Sequence, residues 1–226
     1  MRIKNLLFPV FLLFIVSCKK SETTTNTPPQ DKYLATSAGS TWNYHETGTS
    51  DTATINTDYT LTSTSRDSSI NGKSYHIFSN STGGNQYLNI TGNDYYEFDS
   101  LPAGLGTGVF ERLYLKDNAV VGTSWTQNLS LTVPGSPIPV PITITYNIAE
   151  KGISRTVNGT TYTNVIHVGT SITSALIPAA SLMTNINSYY AEKYGLIEDS
   201  NIIQLNFLGI VENISIETNL VSASVL

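Results

Sequence analysis

The chain has 226 residues, with 12 Lys and Arg against 17 Asp and Glu, three His and one Cys; 13% of residues are charged and 40% hydrophobic. A net charge of -5 supplies no basic footprint for nucleic acid, a single cysteine cannot form an internal disulfide, and the length is enough to bury a core without metals or staples. Thr, Ser and Asn are abundant and 13 Tyr stand against 7 Phe, a mixture suited to strands with one wet face.

Residues 1–17 have the layout of a secretion signal. Arg2 and Lys4 form a basic start, and Leu6 to Val16 form a run of eleven apolar residues. A spanning helix needs about 20, so this segment is expected to be removed. The end of the run, Ile15-Val16-Ser17-Cys18, resembles the lipobox of bacterial lipoproteins. The resemblance implies that Cys18 is acylated and becomes the N-terminus, with the membrane as its partner through a lipid anchor of two or three chains. Loss of residues 1–17 leaves 10 basic against 17 acidic residues. Residues 18–32, rich in Ser, Thr and Pro and without apolar periodicity, read as a flexible tether. The absence of Asp directly after Cys18 resembles outer-membrane sorting, and Lys20 followed by Glu22 partly resembles the export signal of surface-exposed Bacteroidetes-type lipoproteins. Together they imply an outer-membrane anchor, on the periplasmic face or at the cell surface.

From residue 33 to 226 the pattern predicts a single all-β domain. Alternating runs such as TATINTDYTLTSTS (52–65), KSYHIFSNS (73–81), RLYLKD (112–117), PITITYNIAEKG (141–152) and IIQLNFLG (202–209) have the period of half-buried strands. Asn71-Gly72, Gly83-Gly84, Gly92-Asn93 and Asn158-Gly159 between such runs are hairpin signals. An antiparallel meander follows, a curved sheet or open half-barrel. Residues 175–187, ALIPAASLMTNIN, are the exception, a short helix or apolar flap broken at Pro178.

The chain also repeats itself. Gly39-Ser40-Thr41-Trp42 is echoed by Gly122-Thr123-Ser124-Trp125, and Asn71-Gly72-Lys73-Ser74-Tyr75 by Asn158-Gly159-Thr160-Thr161-Tyr162. Fixed order predicts two duplicated halves, about 38–100 and 121–200, with Trp42 and Trp125 in equivalent core positions. The strings Gly39 to Tyr44, Gly159 to Val168 and Tyr189 to Glu198 resemble a pattern in uncharacterised Bacteroidetes-type β-rich lipoproteins, some of them similar to the half-barrels of lipoprotein carriers. That resemblance implies a curved sheet around an apolar cavity and carries no catalytic residue.

Candidate chemistry is sparse. His45, His76 and His167 are scattered, and no further ligand motif accompanies them, so no metal or other cofactor is expected. Glu97 and Asp99 share a strand face and, with Asp94, read as a solvated acidic edge. The glycine-rich segment 103–108 lacks the lysine of a phosphate loop and reads as a flexible connection. Asp51-Thr52-Ala53 and Asp99-Ser100-Leu101 resemble the O-glycosylation site of Bacteroidetes-type envelope proteins, making Thr52 and Ser100 candidate acceptors. In Tyr95-Tyr96 and Tyr189-Tyr190 one ring of each pair should face outward, for stacking on a sugar or for cross-strand packing. The expectation is a non-enzymatic envelope lipoprotein that binds an apolar or lipid-like ligand or serves as an accessory subunit of an envelope assembly; surface glycan binding is the alternative. Residues 101–110 and 175–187 are expected over the mouth of the sheet.

Overall fold

The computed structural model describes residues 32–100, 109–131, 139–207 and 209–226, without the side chains of Asp99 and Ser100. The signal segment, Cys18, the tether up to Asp31 and the glycine-rich segment 103–108 lie outside the described residues. Residues Asp31–Leu226 form one compact unit.

Alternating sequence becomes strand throughout. The first half runs β1 (Thr41–Ser50), β2 (Ala53–Ile70), β3 (Lys73–Asn80), β4 (Asn85–Thr91), β5 (Asp94–Ser100) and β6 (Val109–Lys116). The second runs β7 (Ser124–Leu131), β8 (Val140–Val157), β9 (Thr160–Thr173), β10 (Leu182–Ala191), β11 (Gly195–Phe207) and β12 (Ile210–Ser224). Every described ladder is antiparallel between chain neighbours, and β12 returns to pair with β1. The result is one 12-stranded sheet curled almost into a closed barrel, with a single unsealed seam between β6 and β7. Each half is a six-strand meander, and its second strand has 18 residues in both. The hairpins after those strands turn on Asn71-Gly72 and Asn158-Gly159, all four at positive φ, the backbone that a two-residue turn of matching twist requires.

The helix-like stretch is almost entirely extended. Only Ala179–Ser181 makes a single 3-10 turn, and Leu182 onward is β10. Pro178 stops nothing longer, because the apolar residues that follow serve as alternate wall positions of a strand.

Trp42, in the second position of β1, is 2% exposed; Trp125, second in β7, is half-buried and stacks on its cross-strand partner Tyr146 at 5.5 Å. The two therefore differ in environment. Trp125 stands at the seam, where its Nε1–H donates to the Leu113 carbonyl at 2.8 Å. Two residues on, the Gln127 amide donates to the Glu111 carbonyl. Side chains from β7 thus satisfy carbonyls of β6 where no backbone ladder forms, which limits the exposed edge.

One end of the barrel is closed by the segment before β1. Lys32, counted with the tether from sequence, is already fastened: its carbonyl accepts from Lys193 N at 2.7 Å. The Tyr33 hydroxyl donates to Asn164 O at 2.8 Å, and Tyr33 N donates to the Tyr95 hydroxyl, which in turn donates to buried Asp117 at 2.7 Å.

The two halves meet along β1 and β12, and at Gly48 the backbones approach too closely for a side chain. The Gly48 φ is +141°, and a Cβ placed there would lie 1.9 Å from the Ser215 carbonyl oxygen. Gly48→Ala is expected to lower stability by about 3 kcal/mol, read as a reduced urea midpoint; an unchanged midpoint would show that this ladder is not what holds the halves together.

Candidate functional site

In a closed sheet every second side chain points inward, and a barrel of more than about eight strands is wider than side chains can fill. The consequence here is a chamber of about 400 Å³ inside the barrel. Its walls are aliphatic, built by Ile142 and Ile144 of β8, Val168 and Ile172 of β9, Ile203 of β11 and Ile214 of β12. Such a size and lining suit a ligand of drug-like dimensions.

The chamber ends inward on a polar and aromatic partition. Arg112 of β6 faces Glu97 of β5 across the ladder, and their side chains form an ion pair. The Tyr114 and Tyr190 rings lie beside them, 5.4 Å apart. Burial pushes both phenols well above their ordinary range, so they remain neutral hydroxyls. Beyond the partition is a smaller cavity of about 130 Å³ lined by Trp42, Tyr44 and Phe78, and Arg112, Tyr114 and Tyr190 line both spaces. Glu97, expected on a solvated edge, is thus an internal residue paired across strands. Asp94 is paired with Lys116 at 3.0 Å.

Asp199 is the acid that sequence reasoning missed. The run Glu198-Asp199-Ser200-Asn201 looks like the acidic end of a strand, yet β11 continues through it to Phe207. The carboxyl accepts from the Ser188 hydroxyl at 2.6 Å and from the Asn201 amide, and Asp199 faces the chamber. It keeps some accessible surface, but that surface belongs to the chamber rather than to the outside of the barrel. Desolvation raises its pKa, opposed by the Ser188 hydrogen bond and the Arg112 charge.

At the other end, the wall runs up to the strand termini at Ser50, Leu131, Val140, Phe207 and Ile210. Ile177, in the connection between β9 and β10, folds over this mouth and lines the chamber. Of the residues expected there, 101–108 lie outside the described set and 182–187 are wall strand rather than loop. Glu212 stands at the mouth beside Asp51, and its pKa is raised by desolvation and by that neighbouring acid. Val109, Leu176, Met183 and Val211, all at this end, are exposed apolar residues. Thr52 is exposed in the turn between β1 and β2; Ser100 ends β5, its side chain outside the described set.

The three histidines stay apart, each against a carboxylate: His45 with Asp58 at 2.7 Å, His76 with Asp67 at 2.9 Å and His167 with Glu150 at 3.0 Å. Among the described residues no three His, Cys, Asp or Glu are grouped to hold a metal ion. His76 completes an arrangement not visible in sequence, since its Nε2 lies 2.8 Å from Ser63 Oγ. Ser63, His76 and Asp67 have the residue types and order of a nucleophilic triad. Ser63, however, is 1% exposed and its hydroxyl donates to the Thr36 carbonyl at 2.9 Å. Its backbone is bonded on both sides to Gly39 and Ser40. The hydroxyl proton is committed and the oxygen sealed, so the three residues fasten the segment before β1 onto β2 and β3.

Of the paired tyrosines, Tyr95 and Tyr190 are buried and Tyr96 and Tyr189 point outward. The outward rings are engaged: Lys73 Nζ sits 3.0 Å from the Tyr96 centroid, while the Arg155 guanidinium lies 3.7 Å from the Tyr189 centroid and His167 stacks on that ring at 4.3 Å. A ring face that carries a cation is not offered to a sugar.

The raised pKa of Asp199 has a stability consequence. A carboxyl with a higher pKa folded than unfolded favours the fold below its ordinary pKa and loses that contribution as pH rises through the folded value. Asp199→Asn is therefore expected to raise the unfolding midpoint relative to the parent at pH 7 and to lose that advantage toward pH 4; a difference independent of pH would contradict the assigned desolvation.

No protein-family model matches the chain, and no curated protein matches it. Among solved structures, the chain is similar to a protein from Parabacteroides distasonis described as a putative lipoprotein, at 8% identity and a TM-score of 0.46 over 86% of this chain and 99% of that chain.

Proposed function

We propose that this protein is a lipid-anchored envelope lipoprotein whose barrel holds an apolar or lipid-like ligand without acting on it chemically. The observation that carries the reading is the chamber, about 400 Å³ of largely aliphatic interior that the inward side chains do not fill. Empty apolar volume is costly to stability, and an occupant that fills it recovers the lost contacts. Phe110, Ile177, Phe207 and Ile210 carry the apolar lining up to the mouth, as passage of an apolar molecule requires. The sealed Ser63 hydroxyl supports a non-enzymatic role.

Anchoring rests on the sequence: a signal over residues 1–17, acylation of Cys18 and a tether to residue 31, with outer-membrane sorting. Lys32 and Tyr33, the first described residues, are fastened to the closed end of the barrel. Cys18→Ser expressed in a lipoprotein-processing bacterial host is expected to lose the acyl mass and move from the membrane to the soluble fraction; retention in the membrane would remove the anchor from the account.

The ligand reading is tested on the chain from residue 19 onward, which keeps the compact unit and carries no acyl group. Native mass spectrometry after gentle purification is expected to show a lipid-sized adduct that leaves on denaturation. Ile203→Trp, placing an indole in the chamber, should weaken uptake of a neutral hydrophobic fluorophore by about tenfold or more while the β-sheet circular dichroism is kept. Undiminished uptake by the folded variant would place the binding elsewhere.

A further inference from the structure

The charges around the chamber are of unequal sign. Among its lining residues Arg112 is the one cation, and its guanidinium is already paired with Glu97. Two acids line the same space, Asp199 at the inner end and Glu212 at the mouth, where Asp51 adds a third carboxyl. Asp199 is held by donors from Ser188 and Asn201, and the neighbouring charge that acts on Glu212 is the Asp51 carboxyl. An amphiphile therefore meets a carboxyl whichever way round it enters.

Resting on the reading of the barrel as an apolar-ligand binder, we propose that the chamber selects single-chain amphiphiles with a neutral or cationic head and rejects those with an anionic one. A hydroxyl head can donate to Asp199 or Glu212 and accept from the buried phenols. An amine head gains a charge-assisted hydrogen bond at either end. A carboxylate or phosphate head must instead approach an existing acid inside a low-dielectric wall, where like charges repel more strongly than in water, or take up a proton to enter. The one cation of the lining, Arg112, is already paired with Glu97 and offers an anionic head no free partner charge. Specificity then comes from a repulsive element built into an otherwise permissive apolar cavity.

The discriminating experiment uses three probes with the same tail, dodecanol, dodecylamine and dodecanoate, each below its micelle threshold, titrated at pH 8 into the chain from residue 19 onward by displacement of a neutral fluorophore. Dodecanol and dodecylamine are expected to displace it with similar dissociation constants, and dodecanoate to be at least about tenfold weaker. In the double variant Asp199→Asn with Glu212→Gln the gap between dodecanol and dodecanoate should fall below about threefold, through tighter dodecanoate rather than weaker dodecanol. Equal binding of dodecanoate and dodecanol by the parent chain would overturn charge selection while leaving the apolar-ligand reading in place. Failure of all three to displace the fluorophore, or of the fluorophore to bind, would overturn that reading and the selection with it. A gap that survives in the folded double variant would assign the rejection to something other than these two acids.

Discussion

The ladder between β1 and β12 is the constraint on which the remaining structure depends. A meander of twelve strands with free ends would be an open twisted sheet, its apolar face exposed and both edges available for pairing with other chains. By returning the last strand to the first, the chain moves its opening from the termini to its middle, between β6 and β7. There Trp125 and Gln127 bond across the gap through side chains. Closure also fixes what lies inside: once the register of β1 against β12 is set, alternation commits one residue in two of every strand to the interior. The clearance at Gly48, where a Cβ would meet the Ser215 carbonyl at 1.9 Å, shows how closely the two halves approach.

Interior composition then decides what the barrel can do. Near the closed end the inward residues are large and aromatic, Trp42, Tyr44, Phe78, Tyr95 and Tyr114, and they leave only the small cavity. Toward the mouth they are mostly Ile, Leu and Val, which are too short to reach across twelve strands. The partition of Arg112, Glu97, Tyr114 and Tyr190 lies where one composition gives way to the other. Stability and binding space are thus divided along the barrel axis, with the aromatic end holding the strands and the aliphatic end left partly empty.

Much of this was legible in the sequence. Period-two alternation and the Asn-Gly pairs gave antiparallel strands and their turns, because both are local signals that tertiary packing reinforces. The repeated Gly-x-x-Trp phrase marked the first strand of each six-strand half, although the two indoles ended in different surroundings: one half ends its β1 neighbourhood in the core, the other at the seam. What local pattern could not show was position around the ring. Glu97 and Asp199 have the composition of exposed acids, and only the pairing of β5 with β6, or of β10 with β11, turns them inward beside Arg112 and Ser188. Residues 175–187 were ambiguous because a short apolar run does not distinguish helix from strand. The Ser63, Asp67 and His76 constellation depends on a register shift in β2 between Ser63 and Asp67, which no residue type announces.

The central claim is that an apolar molecule occupies the chamber on the mouth side of the partition, and the two tryptophans report on the two sides of it. Trp125 stacks on Tyr146, whose ring lines the chamber, whereas Trp42 lines the small cavity beyond. The most direct measurement is quenching of tryptophan fluorescence by a bromine-substituted alkyl alcohol in the single-tryptophan variants Trp42→Phe and Trp125→Phe. The account predicts saturable quenching of Trp125 and little effect on Trp42. Equal quenching of both, or none of either, would contradict it.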